Sequence, residues 1–263
     1  MPIGPARMPL MDHLGELRRR LVQCVVGWLI ATCILYVFSP YLFDFLVNPI
    51  SEYLSDGVDS FILTGTFEGF ALKFTIAAFG GLVVSSPLIL WEILAFFLPA
   101  LKPNERHYVL PTFFVAVALF VLGVVFGYSF CMRPTFQFLI GESGSLGTVL
   151  PNASDYIKFI LLFLFAFGLA FELPVVVFYL IFFDIVPYSK MRASWRYVYI
   201  ALFCLAAVVT PDASPVTMCI LVAALIALYE LSLLVARIVL SRKIKNQRER
   251  EAKEAAEEAA ETA

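Results

Sequence analysis

An all-α, polytopic membrane protein of six transmembrane helices is the fold class this sequence predicts, on three observations. The 263 residues are 61% hydrophobic and only 15% charged, more apolar surface than a water-soluble globule can bury. The apolar residues fall in continuous runs long enough to cross a hydrocarbon core of about 30 Å, which takes about 20 residues of helix. Those runs are unbroken instead of alternating with period two, so helices, not barrel strands, must satisfy the backbone in lipid.

The first run covers residues 21–43. Ahead of it Leu10, Leu14, Leu17 and Leu21 recur at helical spacing with Asp12, His13, Glu16, Arg19 and Arg20 between them, which predicts an amphipathic helix over 9–20 at the cytoplasmic interface. A plain membrane-surface anchor is the alternative role, with Glu16 and Arg20 paired at i, i+4. Arg18, Arg19 and Arg20 ahead of an apolar run also resemble a cleavable secretion signal, but the run is too long and lacks an A-x-A-like end, so the segment is expected to remain.

The 44–69 loop, rich in acids and Gly, contains Asn48-Pro49-Ile50 and is long enough for short helices. The second run covers 70–98 and ends in Phe96-Phe97-Leu98-Pro99-Ala100-Leu101-Lys102-Pro103-Asn104-Glu105-Arg106. Pro99 and Pro103 stiffen this turn and are expected to hold Glu105 near Phe96; a solvated turn charge is the alternative for Glu105.

The third run is 109–132 and the fourth 156–183, with Glu172 at its centre in Ala170-Phe171-Glu172-Leu173-Pro174. An ionisable group there costs about 2.5–3.5 kcal/mol on insertion scales and is expected to face a cavity or protein groove. Pro174 frees a backbone carbonyl one turn earlier and predicts a kink. A neutral Glu172 hydrogen-bonded within the bundle is the structural alternative. Glu92 and Glu230 lie nearer the cytoplasmic ends of their runs, where they reach water, and carry less weight.

The fifth run, 197–209, is short: 15 residues separate Arg196 from Asp212. It requires a thinned bilayer or protein shielding at one end. The sixth is 216–235. With no repeat at a fixed period and no linker, residues 1–240 form one domain, followed by a charged, Ala-Glu-rich tail over 241–263.

Of the 19 Lys and Arg residues, 16 fall in the N-terminal segment, the 99–108 and 184–196 loops and the tail. The positive-inside rule therefore places both termini in the cytoplasm. Cys24, Cys33, Cys131, Cys204 and Cys219 lie within apolar runs without C-x-x-C spacing and read as small hydrophobes. Two histidines, no phosphate-cradling loop and no Ser-His-Asp set point to a non-enzymatic protein with no metal, no cofactor and no nucleic-acid partner. On these residues alone a proton-coupled secondary transporter using Glu172 is one function, and a membrane scaffold another. The missing inverted repeat and the lack of a basic mid-span partner for Glu172 weigh against transport.

Ordered motifs from about residue 8 to residue 240 carry a resemblance. They are His13-Leu14-x-Glu16-Leu17-Arg18-x-Arg20-Leu21, Asn48-Pro49, Ser86-Pro87, Phe96-x-x-Pro99-Ala100-Leu101 with Glu105-Arg106, Phe167-Gly168-x-x-Phe171-Glu172-x-Pro174 and Thr210-Pro211-Asp212. Together they resemble the TatC family, the multispanning receptor subunit of the twin-arginine protein translocase. The resemblance implies a six-helix concave cup with cytoplasmic termini in a bacterial-type plasma membrane. It also implies capture of folded precursors through Arg-Arg signal peptides, assembly with TatA-like and TatB-like single-span partners, and a homo-oligomer within that complex. By position, Glu16 and Glu105 look like the family's carboxylates for the arginine pair, with Arg18 and Phe96 in the same patch and Glu172 in the groove. Pro49, Pro99, Pro174 and Asp212 look like structural or loop positions. Where the family carries polar residues such as Gln near the start of the sixth helix, this chain has Pro215-Val216-Thr217, leaving Thr217 as the polar candidate for a partner contact. The chemistry fits independently: guanidinium forks bind carboxylates bidentately and an ammonium does not, so two carboxylates on one surface discriminate Arg-Arg from Lys-Lys.

Overall fold

The computed structural model describes residues 10–49, 63, 65–97, 103–144, 152–210, 214–241, 244–245 and 247, of which 10–13, 97, 103–105 and 143–144 are described by backbone alone. Among them every regular element is helical. Five helical stretches are long and apolar enough to cross a membrane, Leu14–Val37, Glu68–Phe96, Arg106–Glu142, Ala153–Phe182 and Pro215–Val239, and the shorter apolar helix Trp195–Val209 makes the sixth expected span. The chain divides between Leu169 and Ala170 into two compact units.

In the first unit, α1 runs unbroken over Leu10–Val37. The expected interfacial helix over 9–20 and the first span are thus one helix, because nothing at Arg18, Arg19 and Arg20 stops it: arginine is a good helix former and no proline intervenes. The turn at Phe38 then ends this helix earlier than the apolar run suggested, and α2, Ser39–Val47, follows with proline in its first turn. Asn48 and Pro49 continue it as a 3-10 turn. Tyr128 stacks on Phe45 at 4.6 Å, and its hydroxyl donates to the Phe45 carbonyl at 2.8 Å.

Helix α3, Glu68–Phe97, packs along α1. The approach is close because small residues line it: a Cβ on Gly81 would sit 2.5 Å from Thr32 Oγ1 and 3.0 Å from the Thr32 nitrogen. Lipid offers no hydrophobic drive for helix pairing, so such van der Waals contact and interhelical hydrogen bonds carry it. Trp28 Nε1 donates to the Ala78 carbonyl at 2.8 Å across the same seam. Pro87 lies inside α3 and cannot donate to the Val83 carbonyl; Ser86 Oγ donates to that oxygen at 2.7 Å instead.

A 3-10 helix, Pro103–Tyr108, leads into α4, Val109–Phe126, then a π-helical turn, Gly127–Cys131, and α5, Met132–Gly144. This stretch is longer than the expected 109–132 because the helix continues past Arg133, where the apolar run stops. Asn152 Oδ1 accepts from the Ser154 and Asp155 N–H groups at 2.8 and 3.2 Å, capping α6, Ala153–Ala170. Phe120, Phe163 and Phe167 are buried around α4 and α6, and a Cβ on Gly168 would lie 2.8 Å from the Phe120 ring.

In the second unit α7, Leu173–Phe182, and α9, Trp195–Val209, pack on α10, Pro215–Val239. The short α8, Tyr188–Ala193, precedes α9, and the fully buried Tyr229 donates to the Met191 carbonyl at 3.0 Å. Asp184, with φ of 57°, makes the left-handed turn after α7, and Gln247 donates to its carboxylate. Helix α9 has 15 residues, about 22 Å of helix against about 30 Å of hydrocarbon. The short fifth span expected from the sequence is therefore a real feature of the fold.

Candidate functional site: a carboxylate cluster on α1 and α3

The interior of α1 and the last turns of α3 bring two carboxylates onto one guanidinium. Arg20 Nε and Nη2 both donate to Glu16 Oε1, at 3.1 and 2.6 Å. Its Nη1 donates to Glu92 Oε2 at 2.8 Å, across 72 positions of sequence. The i, i+4 pair of Glu16 and Arg20 expected from the sequence forms, but it is half of a larger cluster. Two carboxylates share one guanidinium, so the cluster carries an excess negative charge. Glu16 Oε2 is buried without a hydrogen-bond partner among the described residues. Such an oxygen favours an incoming donor, since a desolvated anion without donors is costly.

Around this cluster the expected residues take distinct places. Phe96 stands four residues after Glu92 on α3, hence on the same face, and is half-buried. Arg18 on α1 is exposed. The backbone of Glu105 lies in the 3-10 helix Pro103–Tyr108 that follows. Pro99 and Asp212 lie outside the described residues. Pro49 sits in the turn after α2, and Thr217 is buried near the start of α10, its N–H donating to Ser214 Oγ.

Glu172 stands at the start of a helix, as the residue that precedes α7, and does not lie inside one. The fourth span breaks at Phe171 and Glu172, between α6 and α7, as Pro174 led us to expect. Pro174 falls in the first turn of α7, where its missing N–H is harmless, and the Glu172 carbonyl accepts from Val175 and Val176 at 3.0 and 3.1 Å. The side chain is half-buried, and its Oε1 is buried without a hydrogen-bond partner among the described residues. A second polar cluster lies on α8, α9 and α10: Glu230 accepts from Arg192 Nη1 at 2.6 Å and from the Tyr199 hydroxyl at 2.8 Å. That carboxylate raises the Arg192 guanidinium above its ordinary value.

Glu92 and Glu230, both discounted in the sequence, each hold a cation, Arg20 in the first unit and Arg192 in the second. Glu92 is buried and ion-paired, not bathed in water. The signal was present but weak: an acid nearly two turns inside the end of an apolar run needs a cation at the same depth, and Arg20 on the antiparallel α1 supplies it. Among the described residues no group of three or more His, Cys, Asp and Glu converges as a metal site would.

The family model for the Sec-independent protein translocase protein (TatC) matches residues 12–223. The TatC protein of Deinococcus radiodurans is 36% identical over 89% of this chain and 87% of its own length. That of Carboxydothermus hydrogenoformans is 32% identical over 92% of this chain and 98% of its own. A crystal structure of the twin-arginine translocase receptor TatC superposes with a TM-score of 0.71 at 29% identity, covering 86% of this chain and 98% of that one.

Proposed function

This chain belongs to the TatC family of Sec-independent protein translocase proteins, and from that membership we propose that it is the receptor subunit that captures Arg-Arg signal peptides of folded precursors. It is a non-enzymatic, membrane-spanning component of the translocase. The observation that supports the receptor reading is the half-satisfied Glu16 carboxylate, held within the charged cluster of α1 and α3 with one oxygen buried and unpaired among the described residues. A guanidinium fork fills such a site with two parallel hydrogen bonds, whereas an ammonium offers a point charge.

In this reading Glu16 and Glu105 receive the two arginines, and Arg18 and Phe96 complete the patch. Phe96 offers an apolar and aromatic surface for the stem of the bound arginine. The apolar part of the signal then enters the membrane, where Glu172 is the carboxylate expected to meet it. Both termini lie in the cytoplasm of a bacterial-type cell, as the basic loops require. TatA-like and TatB-like single-span proteins join the chain, together with further copies of itself, to form the working complex.

The test is site-specific crosslinking of an Arg-Arg signal peptide to the membrane-inserted chain. The Glu16→Ala, Glu105→Ala double variant is expected to insert normally and lose the crosslink. Unchanged crosslinking in that variant contradicts the site assignment.

A further inference from the structure

We propose that Arg20 is a resident guanidinium that occupies the receptor site when no signal is bound, and that Glu92 is the positioning residue that takes it over when the signal arrives. This rests on the assignment of Glu16 as a receiver of a signal arginine. The geometry points to a handover. Arg20 spends two donors, Nε and Nη2, on a single oxygen of Glu16, while Nη1 reaches Glu92. Glu16 Oε2 is left buried and unfilled among the described residues.

Exposure sets the order of the exchange. The side chains of Arg20 and Glu16 are 22% and 23% exposed, and that of Glu92 is 11% exposed. Glu16 is therefore the outer carboxylate, which an incoming peptide meets first, and Glu92 the inner one. An inner carboxylate cannot lose its cation cheaply, so Arg20 stays anchored to Glu92 when it releases Glu16. The excess negative charge of the cluster accommodates exactly one further cation without leaving a carboxylate bare. Arg20 then competes with the signal for Glu16, and Glu92 weakens that competition by holding Arg20 on its own side. Apparent affinity falls by the fraction of receptor whose Glu16 is occupied from within.

The test is equilibrium binding of a fluorescent Arg-Arg signal peptide to the full-length chain in lipid nanodiscs. Arg20→Met is expected to bind about fivefold tighter and Glu92→Gln about fivefold weaker. The Arg20→Met, Glu92→Gln double variant is expected at wild-type affinity or tighter, because Glu92 acts only through Arg20. Arg20→Lys keeps the charge but cannot bridge both acids, and shifts in the same direction as Arg20→Met by less, which covers a failure of Arg20→Met to fold. A purely structural cluster predicts weaker binding in every variant; weaker binding in both Arg20 variants, or in the double variant relative to wild type, overturns the proposal. Glu16→Gln separates the two layers. Unchanged binding in Glu16→Gln defeats the receptor assignment itself, and the handover with it. Lost binding in Glu16→Gln, with no effect of Arg20 or Glu92 changes, defeats only the handover.

Discussion

Arg20 Nη1 lies 2.8 Å from Glu92 Oε2, so the start of the first membrane helix and the end of the next are tied by charge across the helix pair. Removing one partner leaves a desolvated charge behind. Glu92→Ala and Arg20→Ala are each expected to lower stability in detergent by about 1–3 kcal/mol. Replacing both with apolar residues is expected to restore much of the loss. Denaturant or thermal unfolding of the four proteins of this cycle measures it, and additive losses would contradict the coupling.

The contact of α1 with α3 depends on Gly81. Any side chain there meets the backbone and hydroxyl of Thr32 at 2.5–3.2 Å. Gly81→Val is expected to cost about 1–3 kcal/mol and to lower the melting temperature. Gly141→Ala, on a helix where nothing among the described residues lies within 4 Å of the added carbon, is expected to be neutral or stabilising by up to about 1 kcal/mol.

Ser86 and Pro87 act as a unit. Ser86→Ala removes the donor that serves the Val83 carbonyl and is expected to cost about 1 kcal/mol. In a Pro87→Ala background the backbone N–H returns to that carbonyl, and the same serine change is expected to cost little. Equal losses in both backgrounds, read by thermal melting, would contradict the assignment.

Much of this architecture was legible from the chain. Run length and charge gave six helices, Pro174 marked the break in the fourth, and the i, i+4 spacing of Glu16 and Arg20 announced their ion pair. What stayed hidden was long-range pairing. Glu92 looked solvated because a single sequence does not show which helix face meets Arg20, 72 positions away. Helix continuity was also hidden at both Arg18–Arg20 and Arg133, since an apolar run ends where charge begins, while the helix ends only where its backbone hydrogen bonds do. For the proposed receptor site, motif alone offered Glu16 and Phe96, and the three-dimensional arrangement joins Glu92 to Glu16 through their shared contact with Arg20.

Glu230 ties α8 and α9 to α10 through Arg192 and Tyr199. The Arg192 pair is exposed, with side chains 57% and 37% accessible, so salt screens it. Glu230→Leu is expected to increase proteolysis in the 184–196 segment, and Glu230→Gln, which still accepts from Tyr199, to do so less. High salt is expected to narrow the gap between wild type and Glu230→Gln. A gap that persists at high salt would assign the effect to packing.

Discrimination between arginine and lysine is the central property of the proposed receptor. Binding of Arg-Arg and Lys-Lys versions of one signal peptide to the full-length chain in nanodiscs measures it directly. The account predicts at least about tenfold tighter binding of the Arg-Arg peptide, in line with one to two lost charge-assisted hydrogen bonds, and collapse of that preference in Glu16→Gln. Equal affinity for both peptides, or an undiminished preference in Glu16→Gln, would contradict it.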